Sequence, residues 1–315
     1  MASTPIPTPK VMKEIYVLVT MDVEVPRQAP GASGPEDWQS SEAYIRGYAD
    51  VAARFGFPVS FFAHPETADR HAALFHELCQ TRGAFADGLH LHPWKFADGK
   101  YRAHLGGLDA TQQTAVISEA AALWQAAMGR RPLYFRPGTF SANDSTYPLL
   151  VDLGFRGGSV SAPGRIYPDL YAIWTGAVPD PHRPHRSFRQ LEGDLPFANI
   201  PLTQDFSKLE NVRGRRFHRD LRPDYKDVDH RVLVRNVVAQ LAERRPAVPV
   251  IHFDTHNDND YTDPSHPVRR NYEVLLEAIS QACAEAGFVA VGSTVAEVCD
   301  RVLAQPVRCA EFVPA

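Results

Sequence analysis

Residues 87–94, DGLHLHPW, end a short apolar run with two histidines one residue apart. Residues two apart on a strand project from the same face, so His90 and His92 point together. Paired imidazoles at a strand end suit a divalent metal. Two solvated loop histidines, or one packed on Trp94, are the readings that spacing alone leaves open. Three other segments end in groups able to do chemistry. VTMDVEV carries Asp22 and Glu24 on one face, YFRPG carries Arg136 followed by Pro137 and Gly138, and VIHFDTH carries His252, Asp254 and His256. A metal held by imidazoles and one carboxylate would polarise a carbonyl and acidify water. A second carboxylate could take the proton, and a separate histidine could protonate a leaving group. Arg136 could brace the base carboxylate with paired hydrogen bonds. Each residue alone has an ordinary structural role; their joint placement carries the chemistry.

These groups need elements that bring them to one place. Segment 14–25 reads as a buried strand rich in β-branched residues. Segment 41–56 reads as an amphipathic helix with Tyr44, Tyr48, Val51 and Ala52 on one face. Strands are then expected at 57–63, 84–92, 131–138, 156–161, 248–256 and 288–293. Helices are expected at 66–83, 110–129, 145–155, 229–245, 271–287 and 294–304. Strands alternating with helices predict a parallel sheet, and this many units favour one barrel-like domain over two domains. A doubly wound open sheet is the alternative. Residues 161–230 read as irregular apart from the apolar piece ANIPLT, and so long an insertion is expected to serve function. In a barrel, the carboxyl ends of the strands form the active-site mouth, which is where all of these groups fall.

The chain has 315 residues, 44% of them hydrophobic, and a formal net charge of -4, so it offers no basic footprint for nucleic acid. Its first apolar run, IYVLVTM, is strand length, and the N-terminus lacks a signal-peptide layout. Cys79, Cys283, Cys299 and Cys309 form no C-x-x-C pair and read as reduced thiols. A cytoplasmic protein without membrane or nucleic-acid partners is expected.

The segments VTMDVEV, VSFFAHPETADRH, ADGLHLHPW, YFRPGTFSANDSTYPLLVDLGF and VIHFDTHNDND resemble, in order and spacing, the polysaccharide deacetylase superfamily. The resemblance spans roughly residues 14–305. It implies a distorted (β/α) barrel with a long irregular insertion at about 161–230, and tails at 1–13 and 306–315. It also implies one divalent ion, zinc in most members, with cobalt or nickel as alternatives. The family's general base falls on Asp22. Its metal carboxylate normally follows at once, where Val23 stands, so Glu24 is the substitute. The first metal histidine falls on His90. The second is expected at the position of Trp94, so His92 takes that role. The bracing arginine falls on Arg136, and the late catalytic histidine on His256, with His252 as competitor. After L-G-F the family commonly has an aspartate; Gly157 and Gly158 stand there, which leaves Asp254 to supply that charge. His64, just past another strand end, could join the site, but the preferred reading is a satisfied surface histidine.

The resemblance implies a metal-dependent hydrolase of amide bonds, a deacetylase of an N-acylated sugar or sugar-containing metabolite. In it Asp22 is the base, His256 the acid, and Trp94, Pro137, Gly138 and Trp174 line the substrate site. Tyr167, Tyr171 and Trp174 would offer flat faces to a sugar ring or simply anchor the insertion. The basic clusters DPHRPHRSFR and RGRRFHRDLRP would grip an anionic substrate group or pair with nearby aspartates. Two other readings stand beside this one: a metal-independent, allantoinase-like cyclic-amide hydrolase, and an inactive barrel that binds carbohydrate or protein.

Overall fold

Short β-branched runs and capped amphipathic helices take the alternating order that their periodicity predicts. The computed structural model describes residues 13–27 and 33–307. The first half comprises β1 (Lys13–Val23), α1 (Trp38–Arg54), β2 (Val59–Ala63), α2 (Pro65–Arg82), β3 (Phe85–Leu91), α3 (Ala110–Met128), β4 (Tyr134–Pro137), α4 (Thr146–Asp152) and β5 (Gly157–Gly158). The middle stretch holds β6 (Ile166–Tyr167), β7 (Ala172–Ile173), β8 (Ala198–Asn199), β9 (Gln204–Val212) and β10 (Arg215–Asp220). The chain continues through α5 (His230–Arg244), β11 (Val250–His256), α6 (Pro267–Glu285), β12 (Phe288–Gly292) and α7 (Val295–Leu303). Helix starts follow local chemistry. At α3, the Asp109 carboxylate accepts from the Gln112 N–H while the Gln112 side chain accepts from the Asp109 N–H, which satisfies two otherwise orphaned donors.

The main sheet runs β11-β1-β2-β3-β4-β5-β8, with β12 added on β1, and all of its pairings are parallel. β1 is the hub. One of its edges pairs β11 from Tyr16 to Asp22; the other pairs β12 below (Lys13 to Val17) and β2 above (Val19 to Val23). Sharing one edge between two strands distorts the barrel. The two ends of the sheet meet beyond β8, where the Thr203 N–H donates to the His252 carbonyl (3.0 Å) and the His252 N–H donates to Thr203 Oγ1 (2.9 Å). This curled sheet is the (β/α) barrel of the polysaccharide deacetylase type rather than an open doubly wound sheet.

The insertion is more regular than its sequence suggests. ANIPLT supplies β8 of the main sheet, and β7, β6, β10 and β9 form a four-stranded sheet with antiparallel pairings. The pairing partners lie far apart in sequence, and a polar, Arg-rich strand carries no apolar alternation to reveal them. The tails expected at 1–13 and 306–315, Cys309 included, fall almost wholly outside the described residues. Among the described residues Cys79, Cys283 and Cys299 are free thiols, and no helix is long and apolar enough to cross a membrane.

Strand alternation sorts side chains into two sets. Val17, Val19, Met21 and Val23 face the helices in the main core, as do Phe61, Leu89, Phe135, Ile251 and Phe253. Leu18, Phe62, Tyr134, Ala198 and Val250 fill the barrel interior, closed by Val295, Val298, Cys299 and Val302 of α7. Above that apolar plug the inward positions turn polar. The plug itself is tight: Gly88 lies opposite Phe62, and a Cβ there would come within 2.6 Å of the Phe62 ring and 2.7 Å of the Phe61 carbonyl. Gly88→Ala is therefore expected to lower the unfolding free energy by about 1–3 kcal/mol through overpacking, measured by urea denaturation. A neutral effect would mean that Phe62 has room to shift.

Candidate functional site

The inward positions above the plug come from four strand ends. In β1, parity puts Thr20 and Asp22 inward and Glu24 just beyond, whereas Val23 faces the helices. A ligand at position 23 would point away from the site, so Glu24 is the residue that can serve. β3 brings His90 and His92, β4 brings Arg136, and β11 brings His252, Asp254 and His256. All except His256 are buried.

Arg136 is fully buried and organises the lower part of the site. Its Nη1 donates to Asp22 Oδ1 (2.7 Å) and to Asp254 Oδ1 (2.8 Å). Its Nη2 donates to Thr20 Oγ1 (3.0 Å) and His252 Nε2 (2.7 Å), and the guanidinium stacks 4.1 Å above the Phe62 ring. His252 Nδ1 donates to the Pro201 carbonyl (3.0 Å). With one nitrogen accepting and the other donating, His252 is a neutral imidazole in a fixed tautomer. Burial, reinforced by the neighbouring guanidinium, pushes its pKa down to about 3. His252 is thus held in place as a structural brace.

Burial raises the Asp22 pKa to about 7, with the Arg136 charge opposing and the Asp254 charge adding to the rise. Asp254 is held below the usual range because Arg136, Arg222 and His256 together outweigh its burial. Asp254 stands beside His256: ligand atoms of Asp22, Asp254 and His256 lie within 4.8 Å of one another. Burial alone would lower His256, but Asp254, Asp258 and Glu24 outweigh it and raise the value above 6.5. The His256 side chain is 20% exposed, so it can meet a substrate.

Higher up, Glu24, His90 and His92 converge, with ligand atoms within 4.8 Å of one another. Glu24 Oε1 lies 3.2 Å from His92 Nε2 and 3.8 Å from His90 Nε2. Tetrahedral ligands about 2.1 Å from zinc stand roughly 3.4 Å apart. His90 Nε2 has no hydrogen-bond partner although it is buried, as a ligand nitrogen would be before an ion arrives. The donor set therefore fits a divalent metal. Burial pushes both imidazoles down to about 4, so they are neutral and able to ligate at pH 7. Burial would raise Glu24, but the surrounding imidazoles hold it well below its usual value.

Several expected contacts differ. Trp174 is completely buried, its Nε1 donating to the Phe140 carbonyl at 2.8 Å, so it anchors the insertion and offers no face to substrate. Gly138 abuts His92, and a Cβ there would meet the ring at 2.2 Å; with Pro137, also buried, it seats that ligand. Trp94 is 39% exposed at the mouth, edge-on to His92 at 5.7 Å. Tyr171 is also exposed. His64 is not a surface residue: it is fully buried, its Nδ1 2.5 Å from Glu66 Oε2. The β2 register carries it into line with Glu24 and His90. In the basic clusters Arg189, Arg215 and Arg219 pair with Asp144, Asp169 and Glu210, as the bland reading expected.

Three site residues gave no sequence signal. Lys95 donates to Glu24 Oε2. Asn257 clamps the Glu24 backbone, accepting from its N–H (2.8 Å) and donating to its carbonyl (3.0 Å). Arg222, just past β10, lies 3.5 Å from Asp254 Oδ2. Lys95 directly follows ADGLHLHPW, Asn257 lies within VIHFDTHNDND and Arg222 within RGRRFHRDLRP, but nothing in those motifs sets these residues apart from their neighbours.

Comparison with solved structures follows from this geometry. The chain is similar to a candidate polysaccharide deacetylase from Mycobacterium smegmatis (16% identity, TM-score 0.59, 98% of this chain and 96% of that one). It is similar to Puue allantoinase (14%, 0.56, 95% and 94%). It is also similar to a candidate polysaccharide deacetylase from Pseudomonas aeruginosa PAO1 (14%, 0.54, 91% and 90%). At these identities the likeness establishes the fold. No protein-family model and no curated protein matches the sequence.

Arg136→Met tests the lower network. It strands Asp22 and Asp254 as buried carboxylates, so unfolding free energy should fall by about 3–5 kcal/mol in chemical denaturation at pH 8. A loss below about 1 kcal/mol would mean that the two carboxylates find other partners.

Proposed function

We propose that this protein hydrolyses a C–N bond of an acylated amine, as a metal-assisted deacetylase of an N-acylated sugar or sugar-containing metabolite. The observation that carries this reading is Asp22. A carboxylate with its pKa near 7 is pinned by Arg136 beside a Glu24/His90/His92 donor set, with His256, whose pKa the surrounding carboxylates raise, across from it.

Glu24, His90 and His92 would hold the ion, which when bound supplies Lewis acidity to the acyl carbonyl and to water. Arg136 occupies Asp22 Oδ1 and leaves Oδ2 free to accept the proton of the attacking water. A base with its pKa near neutrality combines availability with driving force. His256, whose pKa is raised by the carboxylates around it, donates to the departing nitrogen. The partly exposed Trp94 ring offers a flat apolar face for a sugar at the mouth. A metal-free, allantoinase-like hydrolase is the second reading. It is favoured by one feature, the Lys95 ammonium that already neutralises Glu24.

Protein purified without chelator or histidine tag should carry about one divalent ion per chain by mass spectrometry, and a Glu24→Ala/His90→Ala double variant should carry none. No uptake after incubation with zinc, cobalt and nickel would move the assignment to the metal-free reading.

Asp22→Asn should cut acetate release from N-acetyl sugars by about 10²–10⁴-fold while keeping the ion. In the unsubstituted protein, kcat/KM should be bell-shaped in pH. It falls below about 7, where Asp22 becomes protonated, and again above the raised pKa of His256, where the acid is lost. Activity that persists in Asp22→Asn would remove Asp22 from the base role.

A further inference from the structure

Glu24 offers its two oxygens to opposite charges. Oε1 faces three imidazoles, His92 at 3.2 Å, His256 at 3.7 Å and His90 at 3.8 Å. Oε2 is taken by the ammonium of Lys95 and by the Ser33 hydroxyl, which donates to it at 2.9 Å. Lys95 also donates to Ser33 Oγ (2.8 Å) and to the Ser33 carbonyl (3.2 Å), so its three donors all have acceptors. Its side chain is buried, roofed on one side by the Trp94 ring 5.2 Å away. A buried ammonium tied at every donor is a built feature, unlike a surface lysine that samples many rotamers.

We propose that Lys95 is the internal counter-ion of Glu24 and competes with a divalent metal for that carboxylate. This rests on the metal reading above. The charge pattern supports it. Asp22 and Asp254 are met by Arg136, with Arg222 beside Asp254, and Glu24 is met by Lys95. The acidic groups at the centre of the site therefore already have cationic partners from within the chain. A divalent ion at Glu24, His90 and His92 would find its single carboxylate ligand neutralised and would sit next to a buried positive charge. Poorly screened like charges repel strongly there. The lysine stabilises the metal-free site and weakens the ion's hold on the loaded one. The site then exchanges its ion, whereas a site with an uncompensated carboxylate would retain it.

The test measures zinc affinity of the full chain by competition with a chromophoric chelator, for the unsubstituted protein, Lys95→Met and Lys95→Gln. Removing the charge should tighten zinc binding by about tenfold or more. Lys95→Gln keeps a hydrogen-bond donor for Glu24 without the charge, so it answers if Lys95→Met fails to fold. Thermal unfolding of the metal-free proteins supplies an independent reading. Lys95→Met should lower Tm in the normal background and change it much less in a Glu24→Gln background. Zinc bound by the unsubstituted protein but no more tightly by either variant would overturn the competition and leave the metal reading intact. Zinc taken up only by the variants would support it in its strongest form. No zinc binding by any of the three would overturn both this inference and the metal reading.

Discussion

A buried guanidinium must be matched by opposite charge and by hydrogen-bond acceptors, and Arg136 sets that condition for the whole barrel mouth. It reaches Asp22 and Thr20 on β1 and His252 and Asp254 on β11, although β4 lies three strands from β1 in the sheet. The contact therefore crosses the barrel interior. It can exist only if the sheet curls, and once formed it holds the curl. Phe62 supports the guanidinium from below, which ties the polar layer to the apolar plug beneath it.

That single contact distributes roles among chemically similar groups. Asp22 and Asp254 share one guanidinium nitrogen, and their environments push them apart. The deeper Asp254 has Arg222 as a second cationic neighbour and stays ionised; Asp22 lacks one and rises towards neutrality. Likewise two histidines on one strand face divide. His252 is locked neutral between Arg136 and Pro201, and His256, a layer higher and partly open, is surrounded by carboxylates. These two environments lie only two steps of the strand repeat apart, with Asp254 between them.

The insertion completes this arrangement from outside the main sheet. β8 and the residues after it close the seam against β11, and Pro201 and Thr203 fix His252 from that side. β10 ends at Asp220, which anchors Arg222 beside Asp254. A stretch that carries few strand signals is therefore part of the framework that positions the site and more than a cover over it.

What the sequence by itself determined is local. Period-two alternation in VTMDVEV, DGLHLHPW and VIHFDTH decided which residues face inward, because that follows from strand geometry alone. It put Glu24 rather than Val23, and His90 together with His92, on the inward face. Helix caps and apolar stripes likewise placed the seven helices within a few residues. Only the tertiary structure decided what those inward groups meet. The partners of Arg136, the ammonium on Glu24, the burial of His64 and Trp174, and the strands within 161–230 all depend on contacts between residues tens to hundreds of positions apart. No local propensity encodes such contacts. They arise when the sheet curls, and a charge or ring that looks like surface in the sequence then becomes part of the interior.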